Sequence, residues 1–154
     1  MNAQKSAREA RLQTVRQRLA ESGHRITPQR LSILKALLES NRHPTAEEIY
    51  AEVRRTSPTT SLATVYKTLD TLKEMGEVSE LEFGDGRNHY DGVDPVPHPH
   101  IVCTHCGKIE DIKVSGVDAL QIQAAAESGY RIVSQRVEFY GLCRACQAEP
   151  SLEA

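Results

Sequence analysis

The sequence has no tryptophan, and aromatic residues make up only 5 % of it. With so few large rings the cores must be small, and a metal staple would strengthen them. No apolar run approaches the roughly 18 residues of a membrane span, which excludes a helical membrane protein. Residues 1–18 are charged throughout and lack the apolar stretch of a secretory signal, so a cytoplasmic location is expected. Cysteines number only four, in two C-x-x-C pairs. In a reducing compartment that pairing argues for metal rather than disulfides. Nor is there a strong charge of one sign: the net value is −2, which by itself says nothing about nucleic acid. There is no internal repeat. At 154 residues the chain is one compact domain or two small ones.

The charge is unevenly spread. Residues 1–80 hold 13 Lys/Arg against 10 Asp/Glu, whereas residues 81–154 hold 6 against 11. A basic front half and an acidic rear half fit a DNA-binding part followed by a cation-binding part. Ordinary solvated surfaces account for such modest values equally well.

The front half reads as helices. Leu12, Val15 and Leu19 recur at helical spacing, and Gly23 closes that segment. Thr27-Pro28 reads as the cap and first residue of a second helix with an apolar stripe of Leu31, Leu34, Leu37 and Leu38. Asn41-Arg42-His43-Pro44 breaks it, because the residue before proline avoids helical geometry. Thr45-Ala46-Glu47-Glu48 opens a third helix as a capping box, with Ile49, Tyr50 and Val53 inward. A fourth helix runs from Ser61 to Met75. Leu62, Val65, Leu69 and Leu72 line one face, and Ser61, Thr64, Lys67, Thr68 and Thr71 the other. A face so rich in hydroxyls can approach phosphates and base edges without repulsion. Residues 77–83 and 87–91 then read as strands joined by Gly84-Asp85-Gly86. Three helices followed by a hairpin give the order of a winged helix-turn-helix.

Residues 92–97, Gly-Val-Asp-Pro-Val-Pro, read as a hinge. Beyond it, residues 101–102, 108–112 and 130–140 look like strands, and Val117 to Ser128 like one helix ended by Gly129. From about Gln147 the chain looks disordered. The expected organisation is α+β: a winged helix-turn-helix domain over 1–91, a hinge over 92–97, and a small α/β dimerisation domain over 98–154. That second domain is thin for a monomer, so a homodimer is expected.

Two constellations carry chemistry. Cys103-x-x-Cys106 and Cys143-x-x-Cys146 present four thiolates in two knuckles, the ligand set of a closed, structural zinc site. Catalytic zinc normally keeps an open position, which argues against an enzyme. Four unrelated thiols or a redox pair is the bland alternative. The second constellation is His98 and His100, two apart and so on one face of an extended strand. Their candidate partners are His43, Asp91 and Asp111. Imidazole and carboxylate together suit iron or manganese. Surface histidines among ordinary carboxylates would look the same. His105, His89 and His24 read as surface positions.

These residues resemble the ferric uptake regulator family of metal-dependent bacterial repressors. The resemblance is carried by residues 25–30 (RITPQR), 43–46 (HPTA), 63–66 (ATVY) and 90–91 (YD). It continues through His98-x-His100-x-x-Cys103-x-x-Cys106-Gly107-Lys108 and Tyr140-Gly141-x-Cys143-x-x-Cys146. It implies a DNA-binding winged helix, a dimerisation domain, a four-cysteine structural zinc, and a regulatory iron or manganese held by His43, Asp91, His98, His100 and Asp111. Iron-sensing members usually carry glutamate where this chain has Asp91 and Asp111, and peroxide-sensing members tend to have aspartate at both. The chain therefore looks like the peroxide-responsive branch, in which oxidant formed at ferrous iron modifies a histidine ligand; His43 and His98 are the matching positions. Many relatives have a histidine eight residues before the third cysteine. Here it is Gln135, so the additional metal site it serves is not expected.

For DNA contact, Tyr66 and Lys67 on the fourth helix are the candidates, with Ser61 and Thr64 toward phosphates, and Arg25 matches a family position that reaches the minor groove of an A·T-rich, inverted-repeat operator. Tyr66 could instead pack between helices. Competing readings are an iron- or zinc-uptake regulator of the same family, a zinc-dependent hydrolase, and a zinc-ribbon interaction module. For the hydrolase, neither a general base nor a substrate pocket is legible.

Overall fold

The computed structural model describes residues 2–40 and 43–148. The helix break expected at Asn41-Arg42 and the tail beyond residue 148 lie outside the described residues. The chain forms two compact units, one ending at Pro95 and the other starting at Val96.

The first unit begins with α1 (Asn2–Glu21), α2 (Pro28–Glu39), α3 (Ala46–Thr56) and α4 (Leu62–Glu74). Local chemistry sets their starts. Thr27 caps α2 by accepting from the Arg30 amide, with Pro28 in the first turn. Thr45 and Glu48 form the reciprocal capping box of α3: the Thr45 amide donates to the Glu48 carboxylate at 2.8 Å, and the Glu48 amide donates to the Thr45 hydroxyl at 3.3 Å. Ser61 lies just outside α4 and accepts from the Thr64 amide.

One core joins these helices. Val15 and Leu19 of α1, Ile33, Leu34, Leu37 and Leu38 of α2, Ile49 and Val53 of α3, and Val65, Leu69 and Leu72 of α4 are all buried in it. Two details differ from the sequence expectation. The inward stripe of α2 includes Ile33 and leaves Leu31 half-buried. Thr68, expected on the outer face of α4, is buried. It can be, because its hydroxyl donates to the Thr64 carbonyl one turn back at 2.8 Å and so needs no water.

The hairpin follows as β1 (Ser79–Glu82) and β2 (Asn88–Asp91), paired antiparallel with Leu81 opposite His89 and Ser79 opposite Asp91. Its tip turns on Gly84 and Gly86, both at positive φ, where a Cβ would be strained. Beyond the hairpin, β2 also reaches back to the start of α3. Thr45 bridges His89, and the Tyr90 amide donates to the Pro44 carbonyl at 2.9 Å. Helices followed by this wing make the unit a winged helix-turn-helix.

The second unit is a three-stranded sheet in the order β4 (Ile109–Asp111), β3 (His100–Cys103), β5 (Glu138–Gly141). The β3–β4 pair is antiparallel and β3–β5 parallel. The connection carries α5 (Val117–Ser128), closed by Gly129 as expected. The strand expected over 130–140 is shorter: only β5 is paired. Pairing begins where the amide of His100, the first residue of β3, donates to the Val137 carbonyl, so β3 starts too late to pair with the residues before it. A short helical turn, α6 (Arg144–Gln147), was not foreseen, and it includes Gln147, where disorder was expected to start. Among the described residues no helix is long and apolar enough to cross a membrane.

Candidate metal centres and nucleic-acid face

The four cysteines meet. Cys103 ends β3, Cys106 follows it in a tight turn closed by the Gly107 amide donating to the Cys103 carbonyl at 2.9 Å, and Cys143 and Cys146 flank the start of α6. All four sulfurs lie within 4.8 Å of one another. The Cys106 and Cys143 sulfurs are 3.8 Å apart; a tetrahedron with metal–sulfur bonds of about 2.3 Å has edges of about 3.8 Å. The donor set and spacing fit zinc.

The backbone already prepares one thiolate. Amide donors at Cys106 and Cys143 pull the Cys103 thiol down to about 6. Burial, followed by the neighbouring thiols, pushes Cys146 the other way. A cluster that resists holding several negative charges by itself is one that a divalent cation relieves.

In the same unit, β-sheet register sets the histidine group. Asp111 stands directly opposite His100 across β3 and β4. Its carboxylate is 3.5 Å from His100 Nε2 and 3.2 Å from His98 Nε2. The two imidazoles lie side by side, centroids 4.4 Å apart. His98 Nδ1 donates to the Val96 carbonyl at 2.8 Å, which leaves Nε2 as the ligating nitrogen.

In the first unit His43 and Asp91 form a second ligand pair, with His43 Nδ1 3.7 Å from Asp91 Oδ2. The other oxygen, Oδ1, accepts from the Val93 and Asp94 amides at 2.9 and 3.0 Å. Two amide bonds lock the carboxylate and aim one oxygen at the histidine. Nitrogen and oxygen donors without sulfur, in both units, fit iron or manganese.

His89 was read as a surface residue and is not. It is 4 % exposed. Its Nδ1 lies 2.7 Å from the His43 carbonyl oxygen and its Nε2 2.8 Å from Asp85 Oδ2. Phe83 lies between the two histidines, stacked on His43 and edge-on to His89. The signal was available in the alternation of β2, since His89 and Asp91 are two apart and share a face.

The residues expected to meet DNA lie in the first unit. Arg25 and Lys67 are exposed, and Tyr66 is 39 % exposed. Ser61 and Thr64 are bonded to each other as the cap of α4, hydroxyl to hydroxyl at 2.9 Å. Tyr66 does not pack into the core; its hydroxyl donates to Glu47 of α3 at 2.6 Å. That bond holds the Glu47 carboxyl below its ordinary range and raises the Tyr66 phenol.

With these sites in place, comparison with known proteins decides the family. The profile of the Ferric uptake regulator family matches residues 21–140. The chain belongs to the ferric uptake regulator family. It is 42 % identical to the peroxide operon regulator of Bacillus subtilis, over 83 % of this chain and 88 % of that one. It is 39 % identical to the peroxide-responsive repressor PerR of Staphylococcus saprophyticus, over 90 % of this chain and 97 % of that one. The ferric uptake regulator of Helicobacter pylori superposes with a TM-score of 0.77 at 26 % identity, covering 94 % of this chain and 96 % of that one.

This member of the family is a metal-dependent, DNA-binding transcriptional repressor and not an enzyme. Ferric uptake regulators are dimeric. The second unit suits that assembly, for the protomer leaves Leu120, Ile122, Tyr130 and Val133 exposed.

Proposed function

We propose that this chain is a peroxide-sensing repressor in which His43, Asp91, His98, His100 and Asp111 hold one regulatory iron or manganese, and Cys103, Cys106, Cys143 and Cys146 hold the structural zinc. The observation that carries the reading is the donor set: three imidazoles and two aspartates, with both carboxylates on the shorter side chain and no sulfur among them. The two bacterial relatives above, named for the response to peroxide, support it.

Ferrous iron held by these residues would activate the O–O bond of peroxide, while the two electrons that reduce peroxide come, in net, from the imidazole that is oxidised. In the net reaction one peroxide oxygen enters an imidazole ring of His43 or His98, and the other leaves as water. The protein's part is to hold those rings as ligands: His98 is fixed by its bond to Val96, and His43 by the anchored Asp91 beside it. An oxidised ring is a poorer ligand, so the regulatory metal is lost and repression with it. Manganese in the same place satisfies the ligands without that chemistry.

A dimer reading an inverted, A·T-rich repeat would use α4, with Tyr66 and Lys67 toward bases and backbone. Ser61 and Thr64 lie toward phosphate and Arg25 toward the minor groove. The protein acts in the cytoplasm, where thiols stay reduced and available to zinc.

The test is DNA binding by Fe(II)- and Mn(II)-loaded protein, each with and without peroxide, followed by mass analysis of histidine peptides. Loss of binding in the iron form alone, with one oxygen added at His43 or His98, is the expected result. Indifference of the iron form to peroxide would make the chain an iron-sensing regulator, and oxidation of cysteines first would move the sensor to the sulfur cluster.

A further inference from the structure

We infer that His89 and Asp85 form a strut that carries the state of the metal-ligand loop at His43 to the tip of the wing, so that metal binding also sets how Arg87 is presented to DNA. The inference rests on the reading of His43 as a metal ligand. It is separate from any reorientation of the two units, because every atom involved lies in the first one.

The chain of contacts is continuous. His89 bridges His43 and Asp85, its Nδ1 2.7 Å from the His43 carbonyl oxygen and its Nε2 2.8 Å from Asp85 Oδ2. Asp85 Oδ1 accepts from the Arg87 amide at 3.0 Å, and Oδ2 accepts from the Arg87 guanidinium at 3.2 Å. Each link is one a ligand displacement at His43 would move. The His43 ring stacks on Phe83, and Phe83 stands edge-on to His89, so ring position and carbonyl position both feed the same residue. His89 is buried, and backbone pairing of β2 with Thr45 and Pro44 fixes its Cα. The Arg87 side chain at the far end is 58 % exposed, and an exposed arginine on a wing is a phosphate-seeking group. Gly84 and Gly86 flank Asp85 at positive φ, and across that turn Asp85 meets both His89 and Arg87.

Asp85 is the place to cut, since it lies outside the ligand set and at the exposed end of the strut. The experiment uses the full-length protein with and without Mn(II), and reads amide hydrogen exchange in the segments 43–45 (at His43 and Thr45, since Pro44 has no amide proton) and 84–88 beside Mn(II) affinity and affinity for operator DNA. In the unaltered protein Mn(II) should slow exchange in both segments. In Asp85→Ala the slowing at 43–45 should persist with Mn(II) affinity within about twofold, while that at 84–88 falls about tenfold. DNA affinity of the Mn(II) form should then drop several-fold, with Asp85→Asn intermediate because it retains one acceptor oxygen. Slowing at 43–45 that never reaches 84–88, or slowing at 84–88 that survives Asp85→Ala, overturns the strut alone. No slowing at 43–45 in the unaltered protein overturns the metal reading beneath it.

Discussion

Glu77 is buried at the foot of the wing, and Arg11 of α1 grips it twice, by carboxylate at 2.8 Å and by its backbone carbonyl at 2.9 Å. Arg18 closes on the other carboxylate oxygen at 2.7 Å. Arg11 also donates to the Gly92 carbonyl at 3.0 Å, so one guanidinium ties the first helix to both ends of the hairpin region.

The clamp should matter to stability. Glu77→Ala leaves Arg11, whose side chain is 19 % exposed, with its two carbonyl acceptors but no compensating carboxylate, and lets Arg18, at 57 %, rehydrate. A loss of about 3 kcal/mol is expected, at the low end for breaking a buried pair. Burial alone would raise the Glu77 pKa, but the bonds from Arg18 and Arg11 outweigh it and hold the value below the ordinary range. A depressed folded value means the contribution is complete above the unfolded pKa of about 4.3 and is lost as pH falls through the folded one. Urea unfolding of the unaltered protein and Glu77→Gln should therefore show a gap at pH 7 that narrows below pH 4. An equal gap at both would mean the carboxylate is not the source.

The sulfur cluster should hold the second unit together. That unit has few buried apolar side chains, Val102 and Ile109 among them, and a closed four-cysteine zinc contributes on the order of 10 kcal/mol to folding. Cys143→Ser should remove about one zinc per chain and melt the second unit while the first, with its own aliphatic core, stays folded. Far-ultraviolet circular dichroism with metal analysis reads this; full zinc content and an unchanged melt would refute it.

What the sequence disclosed was whatever short-range chemistry decides. Thr27-Pro28 and Thr45 with Glu48 announce helix starts because the capping atoms lie within a turn of each other. The two C-x-x-C pairs announce their metal because zinc demands that spacing. Asp111 could be suspected but not placed, since only strand register puts it opposite His100. The burial of His89 is hidden for the same kind of reason: besides Phe83, across the hairpin, it depends on the return of β2 to Thr45, far away in the chain. The α6 turn was missed because four residues show no period. Residues 130–137 carry β-propensity without pairing because β3 starts only at His100, a boundary that composition does not show.

Substituting Asp111 should separate metal binding from sensing. Asp111→Ala leaves His98 and His100 facing each other without the carboxylate that both nitrogens approach. Regulatory Mn(II) affinity should fall about tenfold or more, with zinc content unchanged because the zinc ligands are the four cysteines. Asp111→Glu keeps the charge but lengthens the arm by one methylene. It should retain Mn(II)-dependent repression while slowing the loss of DNA binding after peroxide in the iron form. Calorimetric Mn(II) titration and a time course of operator binding distinguish the two variants; unaltered Mn(II) affinity in Asp111→Ala would remove Asp111 from the site.

Lys67 offers a direct reading of the DNA face. It is exposed on α4, one residue from Tyr66, whose hydroxyl is held by Glu47. If Lys67 neutralises a phosphate, Lys67→Ala should weaken operator and non-operator binding alike and reduce the slope of log affinity against log salt by about one per protomer. Tyr66→Phe should act differently. It removes the bond to Glu47 but no positive charge, so the salt slope should stay the same while discrimination between operator and non-operator DNA falls. Fluorescence anisotropy at four salt concentrations on both sequences separates these outcomes. An unchanged slope for Lys67→Ala would take that residue out of the phosphate contacts.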